Sequence, residues 1–389
     1  MLLRVIAYFV PFAINFLNGG FFFIAAHRFA EAHCSGMVVG SAVTAWGIAY
    51  CLVTMLTGKL SNSSNALKFI VAGGLLLTLT SAGFIIFFNY LYCQFLFLVL
   101  AGCGAALFCT PFQLLAKSIE SGEKSAGTVS ATAFYTMTWS VGFASGPLAF
   151  ARLEPRTGFV ITLLLALAVT VSALLIKFLR RNPPSAVSDA PAANQESQLP
   201  FFSEKTFSKL AILGWIVGGL GTITICQIRA MWPKLGEEMG FSRDHIAYVL
   251  ALVSYTQALT ALLLCRSRCW MWKRIPALLM SVCGIIALLL FAFAADLKIF
   301  YFSAILYGIY SGLLYFYLVY HSLAHPTRNS FFVAGNEVIV GITSMIFPLF
   351  GGLLADITDY TGSAFIFAAA MTACALTAQL IMLKPSKLQ

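Results

Sequence analysis

The chain has 389 residues, 60% of them hydrophobic and only 10% charged, with a mean hydropathy of +0.89 and a formal net charge of +10. No soluble core of this size needs so much apolar side chain, so the composition excludes an ordinary soluble protein and implies an integral membrane one. The positive charge does not imply nucleic acid: the basic residues sit in short loops between apolar runs, not in one patch.

A helical span needs about 20 apolar residues. The opening "MLLRVIAYFVPFAINFLNGG" is too long for a signal-peptide core and no small-residue cleavage pattern follows, so it reads as a retained first span. Five more spans follow, so that the first six fall at roughly 5–27, 37–57, 67–88, 92–116, 126–150 and 157–179. Six others fall at roughly 208–231, 244–265, 274–294, 299–321, 331–354 and 362–383. The runs lack the alternation of barrel strands, so helices are expected. The expected fold class is therefore all-α and membrane-integral, with twelve transmembrane helices.

Span one places Asn15, Asn18 and Phe22 on one helical face, with Pro11 below them. Unpaired amides are costly in lipid, so this face should point into the bundle. There the amides either bond other helices or meet a solute. The loop after span two reads "GKLSNSSNALK". Span four carries Thr110, Pro111 and Gln113, with Lys117 on the same face at the helix end. Span five ends in "GFASGPLAF", centred on Pro147.

Between the two sets lies "RRNPPSAVSDAPAANQESQLPFFSEKTFSK", the longest polar stretch and an expected linker. The expected division is 1–181 for one six-helix bundle, 182–207 for a cytoplasmic linker and 208–389 for a second bundle. An even number of spans on each side puts both termini and the linker on one face. About seventeen of the 24 basic residues then fall on that face, which assigns it to the cytoplasm. The expected location is a cell (inner) membrane.

Span seven carries Thr222, Thr224, Gln227 and Arg229. Arg229 is suited to grip an anionic group; its depth near the outer end also fits an interfacial arginine snorkelling to headgroups. Span ten, "YGIYSGLLYFYLVYHSLAH", puts Tyr310, Tyr317 and His321 on one face and Tyr307, Ser311 and Tyr315 on another. Such rings either surround an organic ligand or simply pack. His321 and His325 are expected at a solvated helix end, with a pH response as the alternative.

Span eleven holds Glu337, the one acid well inside a span, in "FFVAGNEVIVGITSMIFPLFGG". Gly341, Ser344 and Pro348 follow it at steps of four, three and four, a stripe of mostly small residues suited to close packing. The carboxylate should thus face protein. It is either a proton-coupling site or a strut that accepts hydrogen bonds from a neighbouring span. The ten cysteines lie mostly in apolar runs with no zinc-like spacing, so neither metal nor disulfides are expected.

The two halves echo each other. Spans one and seven share a Gly-Gly pair and an arginine near the outer end; spans five and eleven centre on Pro147 and Pro348. Over nearly its whole length the chain resembles the major facilitator superfamily. Gly142, Gly146 and Pro147 match the first part of that family's fifth-span antiporter motif, G-x-x-x-G-P-x-x-G-G, but Ala149, Phe150 and Ala151 depart from its end. Gly58 and Leu60 match the loop motif after span two, whereas Asn62 and Ser63 replace its acid and arginine.

The resemblance implies two pseudo-symmetric six-helix bundles rocking about a midplane site lined by spans one, four, seven and ten. Candidate substrate-binding residues are then Asn15, Asn18, Phe22, Gln113, Thr222, Gln227, Arg229, Tyr310 and Tyr317, with Glu337 as the candidate proton-coupling site. The implied function is secondary transport of a small organic molecule, with export slightly favoured. Uptake of a sugar, nucleoside or organic acid is the alternative, as is a transporter-like receptor. No cluster of nucleophiles or acids suggests an enzyme, and no phosphate loop suggests a nucleotide-driven pump. The expected partners are the substrate, the lipid bilayer and protons; no cofactor, metal or nucleic acid is expected, and the chain should be a monomer.

Overall fold

The structure is a computed structural model that describes residues 2–61, 64–120, 127–179, 204–266 and 274–382. Among these, all regular structure is helical. The first six helices are α1 (Leu2–Glu31), α2 (Gly36–Leu60), α3 (Ala66–Ile86), α4 (Cys93–Glu120), α5 (Gly127–Arg152) and α6 (Pro155–Leu179). The other six are α7 (Glu204–Glu238), α8 (Arg243–Arg266), α9 (Arg274–Phe293), α10 (Leu297–Leu323), α11 (Asn329–Thr358) and α12 (Ser363–Met382). Helix α7 begins at Glu204, inside the stretch expected to be linker. The remainder of that stretch, and the loop residues Asn62 and Ser63, lie outside the described residues.

Eleven of the helices are long and apolar enough to cross a membrane; α5 is the exception. Its sequence is diluted by serine and threonine, but several of their hydroxyls donate back to the helix: Thr132 to Thr128 O at 2.8 Å, Ser140 to Thr136 O at 2.6 Å and Ser145 to Val141 O at 2.8 Å. A polar composition satisfied in this way is compatible with a buried helix. Large apolar side chains project outward from other helices, among them Leu79, Leu164 and Phe178, each at least 60% exposed. A belt of that kind suits lipid.

The most extensive helix pair joins α2 to α11, one from each set of six. Glycines set its spacing. A Cβ at Gly40 would come within 2.2 Å of Pro348 O, and one at Gly352 within 2.1 Å of Gly36 O. Gly341 lies against Cys51 and Gly47 against Ser344, so the small-residue stripe that begins at Glu337 is the α11 side of this seam. At one end the Asp356 carboxylate accepts from the backbone N–H of Gly36 (2.6 Å) and Met37 (2.9 Å), so α11 caps the start of α2. Helix α5 packs closely on α1, where Gly142 meets Phe12 O and Gly146 meets Phe16 O. Its other side packs on α8, whose Gln257 Nε2 donates to Ser140 Oγ of α5 at 2.6 Å.

Candidate functional site

Where α1, α2, α5, α7, α10 and α11 converge, a cavity of about 80 Å³ remains, counted as room for the centre of a water-sized sphere. Six of its lining rings touch in sequence. Tyr50 stacks on Trp46 at 4.4 Å, Trp46 meets Phe22 edge-on at 5.2 Å, and Phe22 meets Phe143 at 6.1 Å. Phe143 then meets Trp139 at 5.9 Å, and Trp139 meets Tyr315 at 4.9 Å. These spacings lie in the favourable range for aromatic pairs.

Polar groups interrupt this wall. Asn15, Asn18, Thr222, Ser344, Arg229 and Glu337 all line the cavity. Most are already engaged. Asn15 Nδ2 donates to Pro11 O at 2.8 Å, Thr222 Oγ1 to Gly218 O at 2.7 Å, and Ser344 Oγ lies 3.3 Å from Cys226 Sγ. Two are not: Asn18 Oδ1 and Arg229 Nη2 are buried with no partner among the described residues. The Arg229 guanidinium lies over the Phe143 ring, 3.8 Å from its centroid. The arginine therefore faces the bundle interior, and the snorkelling alternative is not realised. It also borders a second, smaller space lined by Gly19, Phe23, Pro147, Leu250 and Ser254.

Glu337 is 7% exposed. The Tyr50 hydroxyl donates to its Oε2 and the Gln113 amide to its Oε1. Gln113 Nε2 also lies 3.3 Å from the Tyr135 hydroxyl. No cation pairs with the carboxylate among the described residues. Both oxygens are instead held by neutral donors from α2 and α4, which makes it a link between the first and last six helices.

Contacts between the two sets of six flank the cavity toward both helix ends. At the end bearing the α1–α2 loop, His27 Nδ1 of α1 lies 2.9 Å from Glu237 Oε1 of α7, and Arg243 donates to Phe150 O. At the other end Lys117 Nζ of α4 donates to Leu323 O of α10 at 2.7 Å. Beside it His325 is fully buried, not solvated as expected: its Nε2 lies 3.0 Å from Ser208 Oγ, its Nδ1 accepts from Arg328 N–H at 3.0 Å, and its ring stacks on Phe332.

The cavity thus brings together Asn15, Asn18, Phe22, Thr222, Arg229 and Glu337. Gln113 stands behind Glu337. Gln227 instead braces α7 to α11, donating from Nε2 to Phe347 O at 2.5 Å. Tyr310 packs on Gly284 of α9, and Tyr317 turns edge-on to His321, so neither lines the space. Helix α10 presents Tyr315 there instead. Sequence reasoning missed Trp46, Tyr50, Tyr135, Trp139 and Phe143. Their signal was present as aromatic pairs four residues apart, at 46 and 50, at 135 and 139, and at 139 and 143.

A twelve-helix membrane fold with a mixed aromatic and polar cavity between its two sets of six defines a carrier architecture. The Major Facilitator Superfamily profile matches residues 7–325. The chain belongs to the major facilitator superfamily. No curated protein matches the sequence. Among solved structures it is similar to the human organic anion transporter MFSD10 (TETRAN), at 12% identity and a TM-score of 0.68, covering 97% of this chain and 99% of that one. It is also similar to the nucleoside transporter NupG, at 14% identity and a TM-score of 0.65, covering 99% of this chain and all of that one. At such identities the likeness concerns the fold.

Proposed function

We propose that the protein is a secondary transporter that moves a small organic molecule across the membrane by alternating access. The observation that carries this reading is the cavity between α1–α6 and α7–α12, flanked toward one end by the His27–Glu237 contact and toward the other by the Lys117–Leu323 bond. Opening one end while holding the other exposes the same cavity to one side at a time. The named similar structures, an organic anion transporter and a nucleoside transporter, support a small-molecule cargo.

Glu337 is assigned the proton. Among the described residues it is the one carboxylate on the cavity wall, and its two donors bridge helices that must separate when the carrier rocks. Export is the favoured direction, on the partial fifth-span motif at Gly142, Gly146 and Pro147. Both termini are placed in the cytoplasm, from the distribution of basic residues.

Counterflow of labelled benzoate and labelled uridine in proteoliposomes tests the carrier reading. Exchange of either supports it; binding without exchange of either leaves a receptor. With the exchanged solute, Glu337→Gln should abolish pH-gradient-driven movement and spare exchange. Gradient-driven movement at the parental rate would remove Glu337 from coupling.

A further inference from the structure

We infer that the cavity is built for an organic monoanion with an aromatic body, its carboxylate held by Arg229 and its ring by the surrounding aromatic wall; this rests on the transport reading above. The argument begins with what each polar group on the wall still has free. A solute is oriented by donors and acceptors that the protein leaves unused. Asn15, Thr222 and Ser344 are committed within the protein. Both Glu337 oxygens are occupied by Tyr50 and Gln113. A polyol, which needs many partners at once, finds few.

Arg229 stands apart. It bears a positive charge on the cavity wall, and its Nη2 is buried without a partner among the described residues. No carboxylate pairs with it among the described residues, and Glu337, the carboxylate on the same wall, is held as above. A buried N–H of a charged group left unpaired is costly, and a carboxylate from outside the protein removes that cost. Stacking on Phe143 uses the face of the guanidinium, not its edge. The in-plane N–H groups stay available for a bidentate carboxylate.

The same asymmetry argues against a cation. An ammonium group would look to Glu337, whose oxygens are already hydrogen-bonded, and would share the cavity with an uncompensated arginine. The unpartnered acceptor on the wall, Asn18 Oδ1, is a neutral amide oxygen, whereas the unpartnered donor, Arg229, is charged, so the pair selects an anion. The body of the ligand is set by the rings of Trp46, Trp139 and Tyr315, which offer faces and edges but no further charge. An 80 Å³ space of this kind suits a single ring better than a polycyclic solute.

The test is calorimetric titration of the detergent-solubilised full chain with benzoate, benzamide, benzylamine and phenylalanine. These share a ring and differ in charge. Benzoate should bind at least tenfold more tightly than each of the others. Equal or tighter binding of any of the other three, or no binding of benzoate, overturns the assignment. Arg229→Gln should weaken benzoate by roughly 10–100-fold, and Arg229→Lys by less, since the charge remains but the fork does not. Unchanged benzoate affinity in a folded Arg229→Gln protein also overturns it. The charge series uses the parent protein, so it decides the matter even where a variant fails to fold. Counterflow separates the two readings. Benzoate binding without exchange keeps the anion site and removes transport; exchange of benzamide or benzylamine but not benzoate keeps transport and removes the anion site.

Discussion

Tyr50 on α2 donates its hydroxyl hydrogen to Oε2 of Glu337 on α11, a contact between residues 287 positions apart that ties the first six helices to the last six beside the cavity. Gln113 on α4 holds the other oxygen. A buried carboxyl group with one donor removed keeps a desolvated lone pair with nothing to accept. Tyr50→Phe removes that donor with little change in volume, and should cost about 1–3 kcal/mol of stability. Thermal unfolding in detergent measures it. An unchanged midpoint would mean that the bond contributes nothing net.

Two glycines predict opposite effects, Gly40 on the α2–α11 seam and Gly214 on α7 facing α10. A Cβ at Gly40 would lie 2.2 Å from the backbone oxygen of Pro348, which cannot rotate aside. Gly40→Ala should therefore push the helices apart and cost about 1–3 kcal/mol. At Gly214 the nearest atoms to an added Cβ are 3.7 Å away, an ordinary contact. Gly214→Ala should be neutral or stabilise by up to about 1 kcal/mol, because alanine is the better helix former. Comparing the two unfolding midpoints checks the seam; equal losses would contradict it.

These cases also show what could be read before the structure. The stripe from Glu337 through Gly341, Ser344 and Pro348 is legible, because small residues at helical spacing specify a close neighbour. Asn15, Asn18 and Phe22 are legible because polar groups in an apolar helix have one inexpensive direction to point. Helix α10 is different. It is apolar or aromatic on every side, so its composition carries no signal for rotation about its own axis. Tyr310 and Tyr317 were therefore as plausible on the cavity as Tyr315, and only packing against α8 and α9 decides among them. Trp46 and Trp139 were missed because α2 and α5 were not expected to line the space.

The contact between His27 and Glu237 predicts the behaviour of one end of the cavity. The two side chains approach to 2.9 Å between α1 and α7, and nearby Arg243 donates to Phe150 O. Glu237→Gln weakens the first link without removing the second. If the link contributes about 1–2 kcal/mol, opening at that end should rise roughly 5–30-fold. Ser254 lines the small space under this closure and is 5% exposed. Labelling of a Ser254→Cys protein by a soluble maleimide, less the labelling of the native cysteines, should accelerate by that factor in the Glu237→Gln background. An unchanged rate would mean that this contact does not hold the end shut.

His325 predicts a pH dependence at the opposite end. It sits between α10 and α11, and burial is the main cause that holds its imidazole below the ordinary value of 6.5. Arg328 and Lys117 push the same way, while the Glu204 carboxylate opposes them. The geometry agrees: Nδ1 accepts a backbone hydrogen bond from Arg328, which requires an unprotonated nitrogen, and leaves Nε2–H to donate to Ser208. With the folded-state value lowered, the unfolded chain binds the proton first as pH falls. Stability from this group is therefore complete above about pH 6.5 and is lost as pH drops toward the folded-state value, by up to ~1.4 kcal/mol per pH unit. His325→Gln removes the titration. The unfolding midpoint of the parent should fall more steeply than that of the variant between about pH 7 and pH 5. Parallel slopes would show that His325 keeps its ordinary affinity for protons when folded.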